Sequence, residues 1–309
     1  MARVLVTGAN GFVGAAICAH LRSRGWLPRG SVRRAVTTLP EGIEKAVTGD
    51  IDAGTNWSEA LRGVEAVVHC AARVHVLHET AADPLAAFRQ VNVAGSRRLA
   101  GQAAAAGVRH FVFLSSIGAA EAERDPARAN PYQTSKLEAE TALREVAGRQ
   151  GMTLVTLRPP LVYGPGAPGN FRRLARLITA GRPLPLAAIR NRRSLLFVGN
   201  LADAVEAALR IDVAPEGPLA LCDGEDLSTP ELARRLGQAC GRPARLFPVP
   251  AVLLRLAGHL LGRAAAVEAL TGSLTVDNGP IGEVLGWQPA FSVDEGLAET
   301  CRQREELSE

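Results

Sequence analysis

The segment that most constrains this chain is Arg3–Thr7 together with the glycines that follow it. Val4, Leu5 and Val6 give way to Gly8-Ala9-Asn10-Gly11-Phe12-Val13-Gly14, after which Ile17, Leu21 and Arg24 recur at helical spacing until Gly25. That order predicts strand, glycine loop and helix. Glycine lets a backbone approach a pyrophosphate closely, and the helix that follows offers unbonded N–H groups and a partial positive charge. The same glycines could serve only a tight turn and close helix–sheet packing. Their place between a strand and a helix favours dinucleotide binding.

The alternation continues. Leu27–Val32, Glu44–Val47, Ala66–Cys70, Phe111–Ser115 and Leu154–Arg158 read as strands, and Trp57–Arg62, Pro84–Ala106 and Pro131–Gln150 as helices. Apolar strands separated by helices predict an α/β fold, a Rossmann-type doubly wound parallel sheet covered on both faces. After Arg158 the prolines and glycines from Pro159 to Gly169 mark a loop into a second lobe. Residues 1–160, with a return near 193–216, are expected to form the dinucleotide-binding domain. Residues 161–192 and 217–309 are expected to form a smaller α/β substrate lobe. In that lobe Ser228-Thr229-Pro230-Glu231 has capping-box spacing and opens a helix to Cys240.

Composition excludes several classes. At 47% hydrophobic and 21% charged, the 309 residues lie in the globular range. No apolar run is long enough to span a membrane, and Pro250–Leu270 is broken by Arg255, His259 and Arg263. Cys18, Cys70, Cys222, Cys240 and Cys301 are scattered and include no C-x-x-C. With no secretory apolar region at the first residues, they point to a reduced cytoplasmic setting without disulfides or a metal ribbon. The net charge of +4 is too small to announce nucleic acid. Arg172, Arg173 and Arg176 have no aromatic stacking partners beside them and read as a solvated helix face. His69, Cys70, His75 and His78 fit no closed zinc spacing, so no metal is expected. Asp223-Gly224-Glu225-Asp226 reads as a polar turn.

Chemistry concentrates in Tyr132-Gln133-Thr134-Ser135-Lys136. Tyrosine and lysine four apart share one helix face, where an ammonium favours the phenolate and prepares the tyrosine to exchange a proton with a hydroxyl or carbonyl. Ser115-Ser116 ends the strand Phe111–Leu114, on the side where doubly wound sheets bind ligands, and a hydroxyl there could orient the reacting oxygen. A helix cap is the alternative role for this pair. No G-x-S-x-G elbow is present, which disfavours a hydrolase.

These segments resemble the extended short-chain dehydrogenase/reductases, the NAD-dependent epimerase/dehydratase group. The likeness runs through Thr7–Gly14, Gly49-Asp50-Ile51, His69-Cys70-Ala71-Ala72, Asn92-Val93-Ala94-Gly95, Ser115-Ser116, Pro131–Lys136 and Arg158–Pro165. The resemblance implies Tyr132 as acid–base, Lys136 holding the nicotinamide ribose and tuning Tyr132, and Ser116 orienting the reacting oxygen. Gly8, Asn10, Gly11, Phe12, Val13 and Gly14, with Tyr132 and Lys136, would bind the cofactor, and Asp50 and Ile51 would contact the adenine. Ala71, Ala72 and Pro159 would line the cofactor, and Asn92 would support the ribose. Asn170 and Arg193 match positions that hold the diphosphate of sugar substrates, a task that suits an arginine fork, and a solvated face shared with Arg190 and Arg192 is the alternative for Arg193. At the end of the second strand an acid would bind a ribose hydroxyl, but Arg33 and Arg34 stand there, which favours NADP with NAD as the alternative. Leu161 replaces the substrate-binding asparagine of many relatives, and Gly279-Pro280 replaces a common serine-lysine.

The expected activity is hydride transfer at C4 of a nucleotide sugar, as in a UDP-sugar 4-epimerase or a 4-keto-sugar reductase of bacterial surface polysaccharide synthesis. The alternatives are an NADPH-dependent ketoreductase of a non-sugar substrate and a non-catalytic NADP(H)-binding sensor. The resemblance also implies a homodimer.

Overall fold

A computed structural model describes residues 2–74 and 82–306. In chain order the elements begin β1 (Arg3–Thr7), α1 (Phe12–Ser23), β2 (Leu27–Val32), β3 (Glu44–Val47), β4 (Ala66–His69) and α2 (Pro84–Arg89). A π-helical turn over Gln90–Gly95 leads into α3 (Ser96–Ala105), β5 (His110–Leu114), α4 (Ile117–Arg124), α5 (Pro131–Gln150) and β6 (Thr153–Arg158). Then come β7 (Leu161–Tyr163), α6 (Gly169–Thr179), β8 (Arg193–Phe197), α7 (Val198–Leu209), β9 (Leu219–Ala220) and β10 (Asp226–Leu227). The chain closes with α8 (Thr229–Ala239), α9 (Ala251–Leu260), α10 (Ala264–Thr271), α11 (Gly279–Leu285) and α12 (Val293–Glu306).

Seven strands make one parallel sheet in the order β3-β2-β1-β4-β5-β6-β9, the Rossmann-type arrangement. Val4, Leu5 and Val6 on β1 and Val67 and Val68 on β4 are fully buried, as central parallel strands covered on both faces must be. The strand order reverses between β1 and β4, so the crevice at their carboxyl ends is where such a sheet takes a ligand.

The chain divides into two compact units: Met1–Pro159 with Leu201–Leu221 and Gly279–Gln288, and Pro160–Asn200 with Cys222–Asn278 and Pro289–Glu309. The expected boundaries differ at three places, and residues 217–221 join the first unit because β9 pairs with β6. Residues 193–200 fall in the second unit because β8 pairs with β7 and β10 in a separate three-stranded sheet. Residues 279–288 fall in the first because α11 packs beside β9 and buries Ile281 fully.

Local differences have local causes. Trp57–Arg62 forms turns rather than a helix: Arg29 Nη1 draws the carbonyls of Ala60 and Arg62, each at 2.8 Å, and Gly63 at φ +68° turns the chain away. The expected helix Pro84–Ala106 is interrupted by the π-helical turn, where the Asn92 carbonyl accepts from Ser96 Oγ at 2.6 Å. Sequence reading missed α4, whose N-cap is Ser116. The expected absence of disulfides fails at Cys240 and Cys301, which are bonded because α8 packs on α12 and brings residues 61 apart together. The cap at Ser228 holds, accepting from Glu231 N at 3.3 Å. Among the described residues, no helix is long and apolar enough to cross a membrane.

Candidate active site

The glycine loop sits at the carboxyl end of β1. Gly8 adopts φ +66°, a conformation that side chains disfavour, and a Cβ there would meet the Ala71 backbone at 3.1 Å. Gly14 lies so close to Gly8 that a Cβ would fall 2.2 Å from the Gly8 carbonyl oxygen. Gly11 is the N-cap of α1 and supplies no side-chain cap, so the first turn keeps unbonded N–H groups suited to an anion. Phe12 and Val13 open α1, and Asn10 is exposed beside them. Ala71 N donates to Thr7 Oγ1 at 3.1 Å, which fastens the Ala71-Ala72 strip to the end of β1.

Arg33 and Arg34 follow β2 and are exposed. Arg33 pairs with Asp50 at 2.8 Å, whereas Arg34 has no acidic partner among the described residues. Ile51 lies against Gly95, where a Cβ would meet Ile51 Cγ2 at 2.6 Å.

The α5 helix carries the titratable groups. Asn130 caps it, Asn130 and Gln133 form a reciprocal capping box, and Pro131 occupies the first turn. Tyr132 therefore sits at a fixed helix start, its ring 6.2 Å from that of Phe88. Burial raises the Tyr132 pKa, and a hydrogen bond with Ser116 pulls it the other way. Ser116 also caps α4 by accepting from Gly118 N at 3.1 Å, the capping role foreseen as its alternative.

Lys136 is only 2% exposed, donates to the Leu114 carbonyl at 2.6 Å and lies 4.4 Å from the Phe113 ring centroid. Burial lowers its pKa to about 8, with Glu140 and Cys70 acting in the opposite sense. Asn92, also 2% exposed, ties the π-helical turn to α5 by donating to Ser135 Oγ at 2.9 Å, and it brackets the Arg73 backbone. The Pro159 carbonyl accepts from Ile117 N at 2.9 Å, joining the end of β6 to the start of α4.

His69 has neither ring nitrogen open to a metal. Nδ1 bonds Thr7 Oγ1 at 2.7 Å and Nε2 bonds Ser96 Oγ at 2.8 Å, while burial lowers its pKa to about 3 and keeps it neutral. His75 and His78 lie outside the described residues. Three potential metal-ligand atoms gather at His20, Asp203 and Glu206, but the Glu206 carboxylate is already held by His20 at 2.7 Å and Arg210 at 2.6 Å.

In the second unit, Asn170 is exposed in the first turn of α6. Arg193 opens β8 and donates from Nη1 to the carbonyls of Ala269, at 2.7 Å, and Gly272, at 3.2 Å, near the end of α10.

Two features escaped sequence reading. Glu140 is buried and takes Arg158 in a two-point pair at 3.0 and 2.6 Å, with Ser115 Oγ donating to the same carboxylate. The available signal was spacing: Tyr132, Lys136 and Glu140 recur every four residues along one helix face. Asp223, read as part of a polar turn, is buried and accepts from Phe197 N at 2.9 Å and Asn200 Nδ2 at 2.8 Å. A turn-like sequence alone gave no sign of that burial.

Residues 4–218 match the family described as "NAD dependent epimerase/dehydratase family". The chain is 38% identical over 311 residues to a UDP-glucose 4-epimerase of Vibrio cholerae, covering 97% of this chain and 94% of that protein. Its fold superposes on UDP-N-acetylglucosamine 4-epimerase from Bacillus cereus with a TM-score of 0.79 at 20% identity, over 99% and 100% of the two chains. It also superposes on the UDP-glucose 4-epimerase of Thermus thermophilus in complex with NAD, with a TM-score of 0.75 at 25% identity, over 98% and 99%.

Proposed function

The chain belongs to the NAD dependent epimerase/dehydratase family, and on that premise we propose that it exchanges hydride between NAD(P) and C4 of a nucleotide sugar. The observation that carries this reading is on α5, where Tyr132 is hydrogen-bonded with Ser116 and the ammonium of buried Lys136 rests on the Leu114 carbonyl at 2.6 Å. The glycine loop fits a dinucleotide on physical grounds: positive φ at Gly8 and an uncapped α1 N-terminus leave room and free donors for a pyrophosphate.

When bound, the nicotinamide supplies the hydride chemistry. Tyr132 takes the proton of the C4 hydroxyl or returns it to the C4 oxygen, and Ser116 holds that oxygen in line with the phenol. Lys136 favours the phenolate and offers its ammonium to the nicotinamide ribose, while Asn92 keeps the start of α5 in register through Ser135. Asn170 and Arg193 hold the substrate diphosphate in this reading. Asp50, Ile51, Ala71, Ala72 and Pro159 line the cofactor. Assembly as a homodimer and a place in surface polysaccharide synthesis extend the same proposal.

A 4-epimerase is the first form of the activity, supported by the 38% identity to the Vibrio cholerae enzyme. A 4-keto-sugar reductase using NADPH is the second, supported by the end of β2, where Arg33 and Arg34 stand in place of an acid. Identifying the nicotinamide released from the denatured protein, then titrating the stripped chain with NADPH and NADH, separates them. Stoichiometric NAD(H) supports the epimerase. An empty site that prefers NADPH supports the reductase, and Arg34→Ala should then erase about tenfold of that preference. Binding of neither overturns the proposal.

Lys136 sets a pH dependence. Its folded pKa of about 8 lies below the ordinary 10.5, so between those values the unfolded chain holds a proton that the folded chain has released. Discharge of the ammonium above pH 8 removes a donor to the ribose. Cofactor affinity should therefore fall above that pH by at most about tenfold per unit. Fluorescence titration across the range checks this, and Lys136→Met should flatten the profile. An affinity in the native chain that does not vary with pH would refute the role of Lys136.

A further inference from the structure

We propose that α9 and the segment before it dock the second unit on an anionic lipid surface, lying in the headgroup plane. The proposal goes beyond hydride transfer and holds whatever the substrate is. Its first support is a helix turned inside out. Val252, Leu253, Leu256 and Leu260 share one face of α9, with Leu261 following at its end, and they are 71, 54, 56, 79 and 73% exposed. The buried residue of the helix is Gly258, on the opposite side. An ordinary surface helix turns its leucines inward, whereas here Leu254 alone among the leucines of α9 lies on the packed side with Gly258, and the broader aliphatic face meets solvent. Phe247, 44% exposed, lies a few residues before it.

The second support is charge. Residues 241–267 contain Arg242, Arg245, Arg255, Arg263 and His259, and no aspartate or glutamate. All four arginines are exposed. Arg255 reaches Glu268 on α10 at 3.6 Å, and Arg242, Arg245 and Arg263 have no acidic partner among the described residues. Arg255 borders the leucine face, where a long cationic side chain can lay its stem along apolar surface and keep its charge among headgroups.

These features favour a lipid surface over a protein. The face offers aliphatic side chains with a cationic border, the composition of an interfacial helix, and lacks the tyrosine and tryptophan anchors common at protein interfaces. Pairing of two copies through it would bring the same arginines together, with Glu268, already engaged by Arg255, as the nearest acid in sequence to α9. With 10 residues, α9 is far too short to span a bilayer, so it would lie along the surface.

Flotation of the full chain with extruded vesicles tests this. Vesicles of phosphatidylcholine containing about a third phosphatidylglycerol should carry the chain upward, pure phosphatidylcholine far less, and about 0.5 M salt should weaken the binding. V252S/L256S/L260S should reduce the bound fraction at least about tenfold without changing the melting profile, because those side chains already face solvent. R255Q/R263Q should lose about tenfold on the anionic vesicles alone. A chain that stays below both kinds of vesicle, or a triple variant that floats like its parent, overturns the proposal. If vesicles do not bind and the triple substitution instead lowers the sedimentation coefficient of the lipid-free chain, the face joins copies of the protein and the lipid reading falls.

Discussion

Tyr132→Phe is expected to lower kcat roughly 10³-fold while leaving cofactor affinity and substrate KM near their native values. The loss corresponds to about 4 kcal/mol of transition-state stabilisation. The substitution removes one hydroxyl and retains the ring beside Phe88, so the helix start capped by Asn130 has no reason to move. What disappears is the hydrogen bond with Ser116 and, in the proposed reaction, the proton carrier for the C4 oxygen. Steady-state kinetics with both nicotinamides, alongside a direct binding titration, read the two quantities separately. Unchanged turnover would remove Tyr132 from the chemistry. A chain that binds cofactor equally well with or without the hydroxyl and turns over no keto or hydroxy sugar in either form would be a sensor. Ser116→Ala should give a smaller kcat loss, because Tyr132 keeps its proton and loses only the partner that orients it. Its cap on Gly118 N would be lost as well, at a cost of about 1 kcal/mol.

The parts of the molecule that were legible in the sequence are those in which local pattern and tertiary role coincide. The strand β1 is apolar because both its faces are covered, and Gly8 is glycine because its φ is +66°, so the pattern and the reason for it occupy the same few residues. Asn130, Pro131 and Gln133 announce the start of α5 in the same way. Legibility ends where a distant partner decides the outcome. Trp57–Arg62 has helical spacing, yet Arg29 on β2 captures its carbonyls, and nothing within the segment reveals that. Cys240 and Cys301 meet only because α8 and α12 pack together. Arg193 matches a diphosphate position in sequence, and its Nη1 also serves the carbonyls near the end of α10, a structural task that the sequence pattern does not foreshadow.

Glu140 carries the largest expected effect on stability, and its removal should also move the pH profile. The carboxylate is 2% exposed and takes two hydrogen bonds from Arg158 as well as one from Ser115. Glu140→Ala leaves the Arg158 guanidinium, on a side chain itself only 10% exposed, with Glu123 as its remaining acidic partner, and that carboxylate is 62% exposed. Breaking one side of a buried ion pair costs about 3–5 kcal/mol, whereas replacing both partners with apolar residues of similar volume is often close to neutral. The single variant should therefore melt on the order of 10 °C lower, and Glu140→Met combined with Arg158→Met should recover most of that loss. A purely structural role would end there. Because Glu140 opposes the burial that lowers the Lys136 pKa, its loss should push that pKa further below about 8 and shift the alkaline fall in cofactor affinity to lower pH. Glu140→Gln preserves shape and removes the charge, so it should reproduce the acid shift with a smaller loss of packing. If Glu140→Gln lowers stability but leaves the pH profile in place, Glu140 holds α5 to β6 without tuning Lys136.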